Sequence, residues 1–445
     1  MLSIAELPKY GSYKPSGSEW LGPVPAAWDI SRLKNAVYGC VNGLWGSDPK
    51  GRDELVVIRV ADFNEEKMEV SEKKLTYRSI PNKERGDRLL KPGDLLIEKS
   101  GGGDKTLVGR VVLFDKSYPA VTSNFVAKMT PKDWVNSSFL KYAFHCLYSV
   151  GANYLSIKQT TGIQNLDADS YLNELFCFPL QMEQSLIAKF LDRKTTQIDE
   201  AIAIKEQQIA LLKERKQIII QKAVTQGLDP TVRMKDSGVD WIGEIPERWD
   251  IVPNKKIFSL KKNLVGKKSA EYELLSLTLR GVIKRDMENP EGKFPADFDT
   301  YQEVRDGDFV FCLFDVEETP RAVGLSSHDG MITGAYTVFG ADPGVSKEFL
   351  YLFYLSLDSR KMMRPLYKGL RNTIPKDAFL SFKTPLPSLS EQKKIVQFVE
   401  VAIKRTELGI THMSEQIEKL KEYKTTLINS AVTGKIKITP GMVED

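Results

Sequence analysis

The chain has 445 residues, of which 42% are hydrophobic and 27% are charged. That length and composition support two to four globular domains and exclude a low-complexity, disordered protein. The net charge of +4 is too small for a protein that coats nucleic acid without regard to sequence, although it permits local basic patches inside a cleft.

The hydrophobic residues carry no membrane or export signal. Nowhere do eighteen apolar residues follow one another, and residues 1–17 lack the apolar stretch behind a basic segment that a secretory signal requires. We therefore expect a cytoplasmic protein with no membrane partner.

The cysteines give no sign of a metal centre. Four cysteines and three histidines are spread along the chain, and no two cysteines have the C-x-x-C spacing of a zinc site. We therefore predict no metal site and interpret all four cysteines as buried thiols in a reducing compartment. The cysteines are Cys40, Cys146, Cys177 and Cys312.

The first distinctive element, SGSEWLGPVPAAWDI at residues 16–30, occurs twice. It returns as SGVDWIGEIPERWDI at residues 237–251, with eight of the fifteen positions identical. Its tryptophans could stack on bases. Paired tryptophans with Gly and Pro are, however, more typical of a turn fixed against a core. We interpret the element as a structural clasp that opens each of two copies.

Mixed α/β sequence follows each clasp. Short apolar, β-branched runs predict strands, and longer apolar stretches bounded by Ser or Lys predict helices. In copy 1 these are strands at residues 55–63, 94–99 and 109–114 and a helix at 136–150. In copy 2 they are a strand at residues 308–314 and a helix at 347–363. Each copy is therefore predicted to contain an α+β recognition domain.

A basic, glycine-rich loop, KSGGGDK at residues 99–105, follows the second predicted strand. Glycines allow close approach to a phosphate or a base edge, although an ordinary turn has the same composition. The loop is not a nucleotide-binding P-loop, because G-x-x-x-x-G-K-S/T is absent. Its candidate DNA contacts are Lys99, Ser100, Gly101, Gly102 and Lys105.

Acidic residues beside this loop raise the question of a nuclease. Asp94 and Glu98 next to Lys99 could hold magnesium, but copy 2 keeps only Asp308 and has Cys312 in place of Glu98. We interpret these acids as surface charge. The methyltransferase motifs N-P-P-Y/F and D-P-P-Y are also absent, as are helicase and Ser-His-Asp patterns, so we predict no catalytic residues.

Amides and cations precede each of the two long helices that end the copies. Such side chains read adenine and guanine edges, although they also cap turns. The candidates for DNA contact are Lys158, Gln159, Gln164 and Asn165 in copy 1, and Lys368, Arg371 and Asn372 in copy 2.

Residues 182–225 and 389–433 each predict a single long helix, because they contain no Pro and only one Gly, Gly409. Their apolar residues follow a 4-3 spacing, although Lys205 and Lys216 fall on the same positions. A helix of about forty residues spans roughly 60 Å and needs a long partner. We expect the two helices to pair as an antiparallel coiled coil with pseudo-two-fold symmetry, while pairing with other chains stays open. The predicted seam residues are Ile198, Ile202, Ile209, Leu212, Ile219, Ile410, Met413, Ile417, Leu420 and Leu427.

The ends of the two copies resemble each other more closely than their middles. Residues 209–225 match 417–433 at nine of seventeen positions with an offset of 208, whereas the clasps match at an offset of 221. Copy 2 is therefore 221 − 208 = 13 residues shorter between these anchors. A shared scaffold with divergent loops indicates that two different things are recognised.

We divide the chain accordingly. The predicted domains are a first recognition domain at residues 1–180, a central helix at 181–228, a second recognition domain at 229–387 and a C-terminal helix with its tail at 388–445. The predicted fold class is α/β (α+β) for the recognition domains, arranged in tandem, each followed by a long α-helix.

These residues resemble a known family. The two clasps, the fragments KPGDLLI and DGDFVF, the segment PLQMEQSLIAKFLDRKTTQID and the paired helices ending in AVTQG and AVTGK look like specificity subunits of type I restriction-modification systems. The resemblance covers essentially the whole chain. Its arrangement of two recognition domains alternating with two matching helices is rare.

The resemblance implies a non-catalytic subunit that reads a split, asymmetric sequence in double-stranded DNA, one half-site per domain, with the helices measuring the gap. It also implies two modification (methyltransferase) subunits and restriction motor subunits as partners. S-adenosylmethionine, ATP and magnesium would belong to those partners, and this chain would bind no cofactor. The alternative is an assembly scaffold that holds proteins and does not read DNA.

Overall fold

The computed structural model describes residues 4–51, 54–103, 106–160, 162–240, 242–286 and 298–444. The chain forms two compact units. Unit 1 comprises Met1–Glu206 with Ser414–Asp445, and unit 2 comprises Gln207–Met413. Each unit therefore joins one recognition domain to half of each long helix, because both helices bury apolar side chains in the cores of both units.

Unit 1 holds most of its strands in one six-stranded sheet, β4-β13-β9-β11-β7-β6, and two three-stranded sheets, β12-β5-β8 and β10-β15-β14. The strands are β1 (Tyr13–Pro15), β2 (Pro23–Pro25), β3 (Asp29–Arg32), β4 (Val41–Asn42), β5 (Glu54–Ile58), β6 (Phe63–Asn64), β7 (Glu69–Val70), β8 (Tyr77–Ser79), β9 (Leu95–Glu98), β10 (Ser100–Gly101), β11 (Val111–Leu113), β12 (Ala120–Thr122), β13 (Val126–Met129), β14 (Ile157–Thr160), β15 (Ile163–Leu166) and β16 (Leu175–Phe178). The helices are α1 (Asn82–Arg85), α2 (Ser137–Ser149), α3 (Ala168–Leu172) and the first half of α4 (Gln181–Gln226).

Unit 2 is built around the sheet β20-β27-β24-β25, with β19 paired to β28, β21 to β22 and β23 to β26. Its strands are β17 (Met234–Asp236), β18 (Glu244–Pro246), β19 (Asp250–Pro253), β20 (Phe258–Lys261), β21 (Leu275–Thr278), β22 (Gly281–Lys284), β23 (Gln302–Val304), β24 (Phe309–Phe311), β25 (Val323–Leu325), β26 (Gly330–Ile332), β27 (Thr337–Ala341) and β28 (Lys383–Leu386). Its helices are α5 (Lys347–Ser359), α6 (Lys376–Ser381) and the first half of α7 (Leu389–Val432), while α8 (Gly441–Glu444) lies in unit 1.

The central strand of each unit, β9 in unit 1 and β24 in unit 2, is buried on both faces. Leu95 and Ile97 of β9 pack in the same core as helix α2, whereas Leu96 between them packs in the core that contains β5 and β12. In unit 2 Phe309 and Phe311 likewise face the core of α5, and Val310 faces the opposite side. Successive strand residues point to opposite faces, so burial on both sides explains the uninterrupted apolar runs in the sequence.

The prediction of two long helices is confirmed, since α4 and α7 cover 46 and 44 residues. The helix predicted at residues 136–150 is α2, capped by the Asn136 side chain, which accepts a hydrogen bond from the Phe139 amide. The helix predicted at residues 347–363 ends earlier, at Ser359. None of the helices in the described ranges is long and apolar enough to cross a membrane.

The strand predicted at residues 55–63 was too long. Strand β5 ends at Ile58, and a short 3-10 turn at Val60–Asp62 interrupts the extended chain. The backbone amide of Arg59 donates to the Asp62 carboxylate at 2.8 Å, and the Arg59 guanidinium pairs with the same group. This local side-chain closure competes with strand extension.

The four cysteines are free thiols. Cys146, Cys177 and Cys312 are buried, and Cys40 is half-buried. Burial raises the pKa of the Cys146 thiol to about 12 and that of the Cys40 thiol to about 11, because the thiolate loses hydration. These thiols are therefore poor nucleophiles and poor metal ligands.

The clasps are packed into the cores, as their interpretation requires. Trp28 and Trp249 are 1% and 0% exposed. Trp28 lies beside Gly434, just after α7, and Trp249 lies beside Gly227, just after α4. Each clasp therefore packs on the end of the helix that belongs to the other copy. Trp241 lies outside the described residues.

A matched pair of glycine substitutions tests this packing. Gly434 has φ +70°, and a Cβ there would lie 2.4 Å from Pro25. Gly434→Ala should therefore cost on the order of 2 kcal/mol. Gly409 lies inside α7, where a Cβ would make an ordinary contact of 3.6 Å with Leu212. Gly409→Ala should therefore stabilise the protein by about 1 kcal/mol. Thermal unfolding of both variants measures the two shifts, and equal shifts would contradict the prediction.

Candidate nucleic-acid interface

The two contact segments predicted for copy 1 meet in one small sheet. Strand β10 pairs with β15, and β15 pairs with β14. Ser100 lies opposite Asn165, and Gly101 lies opposite Gln164. On the other side of β15, Lys158 lies opposite Asn165. Segments separated by some sixty residues in sequence therefore present one surface, which we call the β10–β15–β14 surface.

Gln164 supports this surface from beneath. Its side chain is buried, its Nε2 donates to the Gly103 carbonyl at 3.1 Å, and its Oε1 accepts from the Val108 amide at 3.1 Å. Gly102 has φ +65°, and a Cβ there would lie 2.8 Å from the Gln164 side chain. The predicted contact residue Gln164 thus holds the glycine loop in place, and the loop requires glycine at position 102.

The other predicted residues of copy 1 are more accessible. Lys158, Gln159 and Asn165 are exposed, whereas Lys99 and Ser100 are half-buried. Four of these side chains already have polar partners: Lys158 with Asp167 at 2.8 Å, Lys99 with Asn42 at 2.7 Å, and Ser100 with Asn165 at 2.6 Å. Lys105 lies outside the described residues.

A cleft of about 800 Å³ lies next to the β10–β15–β14 surface. One wall is Ser100, Gly101 and Gly102 of the predicted loop. The remaining lining residues were missed by the sequence reasoning, because they come from separate strands and turns without a motif. They include Trp45, Arg59, Glu98, Arg110, Ser123, Asn124, Phe125 and Ile163.

The interpretation of Glu98 and Asp94 as surface charge was wrong. Glu98 is 0% exposed, and its carboxylate accepts hydrogen bonds from Arg110 Nε at 2.7 Å and Nη2 at 2.9 Å. Burial raises the pKa of Glu98 to about 7. Asp94, also buried, accepts from the Lys91 amide and the Thr130 hydroxyl. Both acids therefore hold the local structure.

No metal site accompanies these acids. Across the described ranges, no group of three or more His, Cys, Asp and Glu side chains is placed to hold a metal ion. Glu98 is bonded to a guanidinium, and Asp94 is bonded to a backbone amide and a hydroxyl. Together these groups do not form a set of metal ligands.

The predicted residues of copy 2 occupy the equivalent place in unit 2. The Ile374 amide donates to the Leu313 carbonyl at 2.8 Å, just as the Leu166 amide donates to the Lys99 carbonyl at 2.8 Å in unit 1. The two segments before α3 and α6 are thus held by the same kind of backbone bond, to Lys99 directly after β9 in unit 1 and to Leu313, two residues after β24, in unit 2.

The chemistry at this place differs between the units. In unit 2 the Arg371 guanidinium pairs with Asp315, and the Asn372 amide donates to Glu318 at 3.0 Å. Lys368 is exposed, and its backbone pairs with that of Thr373. Unit 2 therefore presents arginine–carboxylate and amide–carboxylate pairs where unit 1 presents a lysine, amides and a hydroxyl.

The predicted seam residues are all less exposed than the helix surface. Among them, Ile198, Ile417, Leu420 and Leu427 are buried, and the other six are half-buried. Apolar residues at other helix positions are exposed instead. Ile204 is 56% exposed, Leu211 57% and Leu408 58%. Burial therefore follows helix position and not hydrophobicity alone.

Polar contacts join the helices within each unit. In unit 1 the Lys424 ammonium pairs with the Asp199 carboxylate at 2.7 Å, and Lys205 donates to Gln416 at 2.6 Å. The earlier residue of α4, Asp199, contacts the later residue of α7, and Lys205 contacts the earlier one. The two helices therefore run in opposite directions there. In unit 2 Lys216 pairs with Glu407 at 3.5 Å.

Comparison with known proteins agrees with this geometry. The model of the type I restriction modification DNA specificity domain matches residues 336–419. A putative type I restriction enzyme MjaX specificity subunit of Methanocaldococcus jannaschii is 23% identical, covering 94% of this chain and 96% of its own length. The MjaVIII specificity subunit of the same organism is 26% identical, covering 81% of this chain and 83% of its own length.

Residues 336–419 thus match the type I restriction modification DNA specificity domain, and the chain as a whole is similar to specificity subunits of type I restriction enzymes. Specificity subunits are non-catalytic, and the catalytic activities of a type I system reside in its other subunits. Solved structures share the fold. The HsdS subunit of Thermoanaerobacter tengcongensis covers 93% of this chain and 98% of its own, with a TM-score of 0.52 and 13% identity. A chain from a type I restriction-modification system, solved in work on complex assembly and conformational transition, covers 92% and 98%, with a TM-score of 0.58 and 15% identity.

Proposed function

We propose that this specificity subunit reads a bipartite, asymmetric sequence in double-stranded DNA, with one half-site for the recognition domain of each unit. One observation carries the proposal: the same backbone bond fixes equivalent segments in both units, and the side chains on those segments differ. A scaffold that served only to hold proteins would have no need for two different polar surfaces on matching frames.

The polar chemistry of each surface suits base reading. Lysine and arginine contact phosphates and guanine, and asparagine and glutamine pair with adenine. In unit 1 the exposed Lys158, Gln159 and Asn165 supply this chemistry, and in unit 2 Lys368 and Arg371 supply it. Existing ion pairs such as Arg371–Asp315 hold the side chains before DNA arrives, so binding would exchange one charged partner for another.

We also propose that α4 and α7 form an antiparallel coiled coil with pseudo-two-fold symmetry that measures the gap between half-sites. The ion pairs support this idea. With the repeat offset of 208 residues, Lys216 corresponds to Lys424, and Asp199 corresponds to Glu407. The repeat therefore relates the Asp199–Lys424 pair to the Lys216–Glu407 pair, as a two-fold axis relates two equivalent contacts.

The partners proposed are two modification (methyltransferase) subunits and, through them, restriction motor subunits. A two-fold arrangement would offer two equivalent docking places, one for each modification subunit. S-adenosylmethionine, ATP and magnesium would be bound by those partners. Action on the DNA of the cell implies a cytoplasmic location.

The full chain, assembled with its modification subunits, tests the proposal. Sequencing methylated sites in the host genome gives the target, and binding is then measured to a duplex with that target and to duplexes with one half-site scrambled. Specific binding should exceed binding to a scrambled duplex by at least about 1,000-fold at physiological salt. Equal affinity for all duplexes would favour the scaffold alternative.

A further inference from the structure

The cleft of unit 1 has an unusual apolar rim. Phe125 is 53% exposed, Ile163 52% and Trp45 38%, and all three line the cleft. The Arg78 guanidinium lies 4.9 Å from the centre of the Trp45 ring. This cation–π contact fixes one aromatic wall in advance. Large apolar side chains grouped around a concavity are typical of binding sites.

The floor of the cleft holds an unsatisfied polar group. Ser123 is 2% exposed, and its hydroxyl has no hydrogen-bond partner among the described residues. A buried hydroxyl without a partner costs free energy, so such a group is expected to gain its partner from a ligand or a water. The neighbouring Asn124 is exposed at the same edge and could supply a second polar contact.

A stacked duplex does not fit this concavity. Within the duplex the faces of the bases are covered by their neighbours, and only base edges and phosphates are presented to a protein. Apolar and aromatic walls instead suit the face of a base that has left the stack. The volume of about 800 Å³ also lies within the range of roughly 300–1,000 Å³ that is typical of pockets for small ligands.

We propose that this cleft accepts one nucleobase unstacked from the half-site that unit 1 reads. The inference rests on the proposed DNA-reading function and adds a mode of reading to it. Phe125, Ile163 and Trp45 would cover the base, and the Ser123 hydroxyl would bond to its polar edge. The exposed Lys158 on the adjoining β10–β15–β14 surface would face the flanking phosphates.

The equivalent place in unit 2 provides an internal control. Asp315 lies two residues after Leu313 in unit 2, just as Gly101 lies two residues after Lys99 in unit 1. Asp315 is paired with Arg371, so a charged pair stands where unit 1 has glycine at the wall of the cleft. Unstacking is therefore expected in one half-site only.

Mismatch scanning tests the inference. The assembled complex is titrated with synthetic duplexes in which one base pair of the target at a time is mismatched. A protein that unstacks a base binds more tightly when that base is already unpaired, because the mismatch removes the cost of opening the pair. Apart from the methylated bases, which the modification subunits themselves would unstack, we expect one position in the half-site of unit 1 to bind at least about tenfold more tightly when mismatched. We expect no such position in the other half-site.

Variants identify the cleft as the cause. Phe125→Ala and Ser123→Ala should each remove most of the mismatch gain. Ser123→Ala should not lower the melting temperature, since the hydroxyl is unpaired. Tyr154→Ala, which truncates an aromatic residue that is 66% exposed and does not line the cleft, should keep the gain.

Two results would overturn different claims. If the intact target is preferred over scrambled DNA but no mismatch in the half-site of unit 1 raises affinity, the unstacking inference is wrong and the proposed function stands. If the intact target is not preferred at all, the proposed function itself fails.

Discussion

Exchanging residues 30–175 for the same region of a relative is expected to change one half of the recognised sequence completely and to leave the other half unchanged. The exchanged region carries the β10–β15–β14 surface and the cleft, whereas Trp28 and helix α4 stay in place. Loss of several base contacts, at about 1–3 kcal/mol each, should reduce affinity for the old target to the non-specific level. Sequencing methylated sites in cells that carry the chimaera measures the outcome.

The reciprocal chimaera is the control for this exchange. Replacing the middle of copy 2, between the clasp at residues 237–251 and helix α7, should change the other half-site only. If either chimaera kept both original half-sites, DNA reading by the recognition domains would be disproved. The scaffold alternative would then be favoured.

Reversing the charge of Lys424 is expected to weaken the helix pairing and relax the selection of gap length. Lys424 is 11% exposed and its partner Asp199 25%, and the ammonium also donates to the Glu66 carbonyl at 2.7 Å. Lys424→Glu places two carboxylates together, at a cost of roughly 2–3 kcal/mol for a partly buried pair. Thermal unfolding gives the stability, and binding to duplexes with gaps one base pair shorter or longer gives the selectivity.

Two further variants separate charge pairing from simple damage. The double exchange Asp199→Lys with Lys424→Glu should recover most of the stability, though not all, because glutamate cannot donate to the Glu66 carbonyl. Lys421→Glu, on the same helix and at an exposed ion pair with Glu418, should change stability by less than about 1 kcal/mol. If the double exchange were no more stable than Lys424→Glu, the ion pair would have no role in fixing the helix register.

The long-range plan of the chain was predictable because repetition and periodicity are properties of the sequence itself. The absence of Pro and the 4-3 spacing predicted α4 and α7 to within a residue at each end. Apolar runs such as residues 94–99 predicted the central strands. Local hydrogen bonding that competes with strand formation was harder to predict. The Arg59–Asp62 closure that ends β5 depends on one side chain reaching its neighbour.

The candidate site was only partly predictable. Composition singled out the loop at residues 99–105 and the amides at 158–165, and the structure brings the described parts of both into one sheet. Composition could not show that Gln164 is buried, nor that Glu98 lies under the surface paired with Arg110. Those facts depend on where strands from distant segments meet.

The sequence by itself determined that the protein is a duplication with matching ends, two long helices and two divergent middles. These features depend only on the order of residues along the chain. Only the tertiary structure decided which side chains share a surface. Trp45, Ser123 and Phe125 line one cleft although no motif connects them, since the sheet brings their strands and turns together. Trp28 is likewise buried beside Gly434, which lies near the other end of the sequence, so this contact of the first clasp was also decided by the tertiary structure.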